Sequence, residues 1–248
     1  MWVLATALGG IIGWAITVAV GMGTLGCGII LFVVIVGGSV GTMQGLVLWP
    51  YIDRLPINRG RVGGLLGRTS AYVADGSSET FSQWLSFTLI WTLATIAATI
   101  LCFVSFVLSE IIVYWVTSGG VTSGTVGYAV KFGVGGLAYG CLNWLVLRIC
   151  TQFSGYWIPA CGFGWATGAI VGRYAGDVIA PVLSPDSGPG GIIMGPYDFA
   201  HIFVMGVTGA TLFGLVTAPA LLLILHMSST RASVSHMPTQ PPRSTSAG

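Results

Sequence analysis

Two apolar sequence elements alternate three times along this chain, and this repeat restricts the fold more than any other feature. In the first element, Trp2, Leu4, Ala5 and Thr6 recur as Trp91, Leu93, Ala94 and Thr95, and Trp157, Ala160, Gly164 and Gly168 occupy the offsets of Trp2, Ala5, Gly9 and Gly13. A pair of segments that returns at a fixed order indicates one supersecondary unit repeated in tandem.

The second element follows the first in each copy. Its residues Gly37, Gly41, Gln44, Leu46, Val47 and Leu48 match Gly136, Gly140, Asn143, Leu145, Val146 and Leu147, and Gly206, Thr211, Gly214, Leu215, Val216 and Pro219 match Gly37, Thr42, Gly45, Leu46, Val47 and Pro50. Chance pairing of abundant small residues is the alternative, and the tryptophan, amide and proline matches argue against it. The pattern predicts three helical hairpins, at about 2–50, 84–148 and 157–226.

Composition places these hairpins in a membrane. Hydrophobic residues make up 54% of the chain and charged residues 6%, and the mean hydropathy is +0.88, far from the composition of soluble domains. Six segments reach the ~20 residues that a membrane-spanning helix needs: about 2–21, 26–49, 84–108, 125–147, 157–182 and 199–226. A longer or tilted third helix that continues to about Trp115 is the alternative for that span. We therefore predict an all-α, polytopic domain over residues 1–227, with six transmembrane helices as three tandem parallel αα-hairpins.

The arginines indicate the orientation. With six spans, one side of the membrane holds Arg54, Arg59, Arg61, Arg68, Arg148, Arg231 and Arg243. The positive-inside rule then places both termini in the cytoplasm. On that side we expect a basic loop over residues 50–83, whose Arg54, Arg59, Arg61 and Arg68 contact anionic headgroups or a partner, and a disordered polar tail over 228–248. The proline- and glycine-rich segment 183–198 is predicted as an outer loop.

Small residues recur every four positions along the spans, which places them on one helix face. They include Gly37, Gly41, Gly45, Gly136, Gly140, Gly164, Gly168, Gly172, Gly176, Gly206 and Gly214. Close packing between helices is the favoured interpretation, because small residues let membrane helices approach. A hinge or a channel lining is the alternative.

Four ionisable residues within or near the ends of the spans are the candidate polar site: Glu110, Lys131, Arg173 and Asp177. Buried charges in membranes are costly and often mark function. Arg173 and Asp177 are four residues apart on one predicted helix and so can pair directly. A charge-balanced clamp between helices is favoured over a binding site for an ion or small solute.

Several other chemistries are not favoured by the sequence. The five cysteines lack CxxC spacing, so no metal or disulfide set is expected. GRVGGLLG lacks the GK[ST] ending of a phosphate-binding loop. The net charge of +2 follows from topology and does not indicate nucleic-acid binding. No cofactor is predicted; His201 as a pigment ligand is less favoured than an interfacial histidine.

The motifs WVLATALGGIIGW, MQGLVLW, GCLNWLVLR and YWIPACGFGWATG resemble a family of uncharacterised multi-pass proteins from cyanobacteria and other bacteria. Its repeats have the form WxLATxxGWxxG followed by GxxxGxxQWLVLR. The resemblance covers about half of the residues, and the third span and the 183–198 loop depart from it. It implies a bacterial cell membrane and supplies no activity or catalytic residue.

Three classes of function remain open. The favoured one is a non-catalytic subunit, scaffold or accessory component of a larger membrane complex, bioenergetic or photosynthetic among the options, with the lipid bilayer and protein subunits as partners. The alternative is a small-solute or ion transporter that uses the outward-facing charges, although the repeats are parallel and not inverted. An intramembrane enzyme is disfavoured, because no nucleophile–base set lies at a plausible depth.

Overall fold

The computed structural model describes residues 1–19, 27–52, 76–116, 125–151, 153–185 and 196–235. These residues form six α-helices: α1 (Trp2–Ala19), α2 (Cys27–Ile52), α3 (Gly76–Val116), α4 (Thr125–Cys150), α5 (Trp157–Leu183) and α6 (Pro196–Ser235). A short 3₁₀ turn, Ser154–Tyr156, leads into α5. The described part of the chain contains no strand, and the predicted all-α class is confirmed.

Two helices are longer than predicted. Helix α3 has 41 residues and begins at Gly76, inside the segment 50–83 that was assigned to a loop. Only its first residue is glycine and it has no proline, so nothing in this segment stops a helix. At 1.5 Å per residue it is about 60 Å long, twice the thickness of the hydrocarbon core.

Helix α6 continues to Ser235, so the start of the predicted tail 228–248 is helical and not disordered. The hydroxyls of Ser228, Ser229 and Thr230 donate hydrogen bonds to backbone carbonyls of Ile224 and His226 within the same helix. These bonds satisfy the polar side chains without disrupting the helix. At the other end, Pro196 is the first residue of α6, so the predicted loop 183–198 is also shorter.

Among the described residues, four helices are long and apolar enough to cross a membrane, which is consistent with a membrane protein. The qualifying segments are Val33–Ile52, Trp84–Ser109, Gly127–Ile149 and Ala200–Thr230. Helix α1 contributes a shorter apolar segment, Trp2–Ile16. The outward faces of the bundle carry exposed leucine, isoleucine and valine side chains, which suit a lipid environment.

The six helices form a closed ring. Each helix packs against its neighbours in the chain, and α1 also packs against α6. Neighbours are antiparallel: Gly9 and Gly13 of α1 approach Val40 and Val36 of α2, so residue numbers rise on one helix as they fall on the other. Similar contacts join Gly41 to Thr95, Gly135 to Cys102, Gly136 to Trp165, Gly168 to Gly209, and Gly206 to Trp14.

The predicted packing glycines all face another helix. A Cβ added at any of the eleven positions would lie within 3.4 Å of an atom on a neighbouring helix, and at Gly136 and Gly172 the distance falls to 2.6 Å. For Gly172 the nearest atom is the backbone oxygen of Met205, which cannot rotate away. The absence of a side chain therefore sets how closely α5 and α6 approach.

Candidate functional site

One end of the ring is closed by three tryptophans, and we call it the tryptophan end. Trp2, Trp91 and Trp157 come from α1, α3 and α5, and all three are buried. Their ring centroids lie 6.4 Å apart for Trp2 and Trp91, 5.6 Å for Trp2 and Trp157, and 6.4 Å for Trp91 and Trp157. Each pair meets edge to face, a favourable aromatic geometry. The triangle fills the centre of the ring.

Hydrogen bonds between helices surround this triangle. The Trp2 indole N–H donates to Thr217 Oγ1 at 3.0 Å, which links α1 to α6. The amide of Gln44 donates to Thr6 Oγ1 at 3.0 Å, which links α2 to α1. All four side chains are buried, so each bond satisfies polar groups that lipid and water do not reach.

The second amide also bonds to a threonine of the neighbouring helix, but its oxygen accepts the hydrogen bond from the Thr95 hydroxyl. Thr95 Oγ1 lies 3.3 Å from Asn143 Oδ1 and links α3 to α4. At the matching position of α6, Phe213 packs edge to face against Tyr139, with ring centroids 5.6 Å apart. The amides therefore hold neighbouring helices together, and an aromatic contact takes their place in the last helix.

A central cavity of about 370 Å³ lies beyond the triangle, toward the opposite end, which we call the cavity end. All six helices line it, through residues that include Trp14, Val36, Phe106, Phe132, Trp165 and Met205. Its wall is almost wholly apolar and aromatic, with the hydroxyls of Thr6 and Thr99 among the few polar groups. An apolar wall of this kind offers water few hydrogen-bond partners.

A polar rim borders the cavity between α4, α5 and α6. The Tyr128 ring packs at a tilt of 46° against the cavity-lining Phe132, with centroids 4.6 Å apart, and the Tyr128 hydroxyl lies 3.4 Å from Sδ of Met205. The Arg173 guanidinium lies over the Tyr128 ring, 5.3 Å from its centroid. This is cation–π geometry. An exposed positive charge therefore lies one helical turn beyond the wall of an apolar space.

Two of the candidate charges, Arg173 and Asp177, contact different helices. Asp177 does not pair with Arg173 as the sequence suggested; its Oδ1 lies 2.9 Å from Nε2 of His201 on α6. The two side chains of α5 diverge because Arg173 stacks toward α4 while Asp177 reaches α6. Lys131 is buried at the same end of α4. Glu110 belongs to α3, and its side chain lies outside the part that the structure describes.

The basic loop residues Arg54, Arg59, Arg61 and Arg68 also lie outside the described residues. Within the described ranges, histidine, cysteine and acidic side chains do not gather in groups of three or more that would hold a metal ion. The sequence interpretation missed the cavity and the role of Tyr128. Trp165, Ala169 and Arg173 occupy every fourth residue of α5 and so share one helix face. This spacing is the sequence signal that could have placed Arg173 near the cavity.

Comparison with known protein families, characterised proteins and solved structures finds no match for this chain.

Proposed function

We propose that this chain is a six-span integral protein of a bacterial cell membrane, with both termini in the cytoplasm, and that it serves as a non-catalytic subunit or scaffold in a larger membrane complex. The observation that carries the proposal is the closed centre of the ring. Buried polar groups there bind neighbouring helices to one another, and three tryptophans fill the axis. Such an interior supports a rigid framework.

The arrangement of the helices in a ring supports the proposal that the chain crosses the membrane six times. Helix α1 is flanked by α2 and α6, and helix α5 by α4 and α6, all of which carry qualifying apolar segments. The antiparallel contacts keep α1 and α5 at the same depth as these neighbours. A helix held between two membrane-crossing helices, with exposed leucines and valines on its outer face, is itself best accommodated in the membrane.

The contacts also support three tandem hairpins. Trp2, Trp91 and Trp157, which share one repeat position, meet at a single point on the axis. Gln44 bonds to Thr6 within the first hairpin and Asn143 to Thr95 within the second, again at shared repeat positions. Equivalent residues that make equivalent contacts are expected of a repeated unit.

Transport of a small solute is the second candidate, because a cavity with a charged rim opens on one side of the triangle. Passage along the axis would require Trp2, Trp91 and Trp157 to separate. A hydrophilic solute would also cross an apolar wall with few hydrogen-bonding groups. These two barriers favour the scaffold function.

Native purification in mild detergent, combined with flux measurements, separates the two functions. We expect the chain to co-purify in fixed stoichiometry with other membrane proteins, and proteoliposomes of the isolated chain to pass potassium and chloride no faster than protein-free liposomes. A Trp91→Ala variant is the matched control, since removal of one ring opens the axis and shows that the assay detects a leak. A chain that leaves the membrane alone and conducts ions as wild type would contradict the scaffold proposal.

Orientation has a separate test. Green fluorescent protein fused after Gly248 is expected to fluoresce, and alkaline phosphatase fused at the same position is expected to be inactive, because both report a cytoplasmic C-terminus. Active phosphatase at this position would contradict the proposed topology.

A further inference from the structure

The central cavity matches the size and chemistry of one hydrocarbon chain. Its volume is about 370 Å³. A dry apolar cavity of about 150 Å³ in another protein takes up a benzene ring, so this one has space for roughly fifteen carbon atoms. Ligand sites generally occupy cavities of about 300 to 1,000 Å³ with mostly apolar and aromatic walls. The cavity therefore suits an acyl chain better than a hydrated solute.

The polar rim indicates which headgroup is favoured at the end of such a hydrocarbon chain. Trp165 and Ala169 of α5 line the cavity, and Arg173 follows one turn later on the same row of the helix. Arg173 is exposed and lies over the Tyr128 ring, and its guanidinium carries five N–H donors that are accessible to an anion. Asp177, the acidic residue nearest to Arg173 along α5, is bonded to His201 on another helix. A positive charge at the rim of an apolar cavity favours an anionic headgroup.

We propose that the ring binds one acyl chain of an anionic amphiphile. The hydrocarbon chain occupies the central cavity, and the carboxylate or phosphate lies at the rim against Arg173. The source is a free fatty acid or an anionic phospholipid, which share this chemistry. This site requires only the described bundle and is independent of whether the chain works inside a larger complex.

Tryptophan quenching by brominated chains tests the proposal. Trp14 and Trp165 line the cavity, so a bromine atom on a bound chain lies close to both. The purified full chain in nanodiscs of zwitterionic lipid is titrated with a brominated fatty acid and, separately, with brominated phosphatidylglycerol. We expect saturable quenching at one ligand per chain. Saturation by the fatty acid alone identifies the free acid as the source, and saturation by phosphatidylglycerol identifies a membrane lipid; either supports the proposal.

Two matched pairs of variants locate the ligand. Ala169→Phe fills part of the cavity and is expected to abolish the saturable quenching, while Val171→Phe, on the exposed face of the same helix, leaves it intact. Arg173→Gln is expected to raise the dissociation constant for the anionic ligand by about tenfold. Arg148→Gln is its control, because Arg148 lies over Trp144 in the same type of contact at the tryptophan end.

Quenching that rises only in proportion to lipid content and is unaltered by Ala169→Phe would overturn the proposal, since that result describes lipid on the outer surface. A brominated fatty alcohol that binds as tightly as the acid would overturn the role of Arg173. If Ala169→Phe fails to fold, mass spectrometry of lipids retained by the wild-type chain after detergent exchange decides instead. We expect one anionic amphiphile per chain, and none retained would refute the site.

Discussion

Replacement of Gly41 by alanine tests how closely α2 and α3 are packed. An alanine Cβ would lie 2.8 Å from Thr95 Cβ and 3.0 Å from Thr92 Cα. Neither atom is the free end of a flexible side chain, so the contact is relieved only if the helices separate. A normal carbon–carbon distance of about 3.5 to 4.0 Å requires a movement of roughly 1 Å.

This movement affects more than one contact. It stretches the hydrogen bond of 3.3 Å between the hydroxyls of Thr42 and Thr92, which joins the same two helices. We expect Gly41→Ala to lower the free energy of unfolding by about 1 to 3 kcal/mol, the usual cost of an overpacked interface. The measurement is reversible unfolding by sodium dodecyl sulfate in mixed micelles, followed by tryptophan fluorescence.

Gly38→Ala is the matched control in the same helix. Its Cβ would lie 3.6 Å from Cδ1 of Ile96, an ordinary contact with the end of a flexible side chain. The two variants share the same change in helix propensity, so their difference isolates the steric effect. If Gly41→Ala and Gly38→Ala unfold at the same detergent fraction, the close packing of α2 against α3 is refuted.

Three further substitutions probe the polar contacts in the same unfolding assay. Thr6→Val removes the acceptor of the buried Gln44 amide, and we expect a loss of about 1 to 3 kcal/mol because that N–H group loses its partner. Gln44→Leu removes the whole amide, whose Oε1 already lacks a hydrogen bond, so we expect a change below about 1 kcal/mol. Thr217→Val removes the acceptor of the Trp2 indole and is expected to cost about 0.6 kcal/mol, the average for such bonds between membrane helices, and at most about 1.7 kcal/mol.

Comparison of the stability losses of Thr6→Val and Gln44→Leu tests whether an unpaired buried amide is costly. Equal losses for Thr6→Val and Gln44→Leu would mean that the amide itself stabilises the bundle and that its unpaired oxygen carries no cost. A Thr217→Val protein with wild-type stability would show that the bond from Trp2 adds nothing to the packing of α1 on α6.

Helix positions were largely predictable because they depend on local composition. The segment 125–147 forms the helix α4 at Thr125–Cys150, and the segment 157–182 forms the helix α5 at Trp157–Leu183. Helix lengths were less predictable where polar residues continue a helix beyond the apolar segment, as in α6. Hydropathy measures preference for lipid, whereas a helix continues as long as its backbone bonds are satisfied.

The candidate site was likewise only partly predictable from the sequence. The sequence identified Arg173 and Asp177 as neighbours on one helix, but their side chains have partners on α4 and α6. Rotamers and the positions of adjacent helices determine such partners, and neither is encoded in residue spacing.

By itself, the sequence determined that the chain forms helices apolar enough to cross a membrane, with small residues along the helix faces, because both properties follow from residue type and periodicity. Only the tertiary structure decided that α1 closes the ring against α6, that Trp2, Trp91 and Trp157 meet on its axis, and that a cavity remains beyond them. The physical reason is that ring closure and unfilled volume arise from the sum of many helix contacts, to which residues distant in the sequence contribute together.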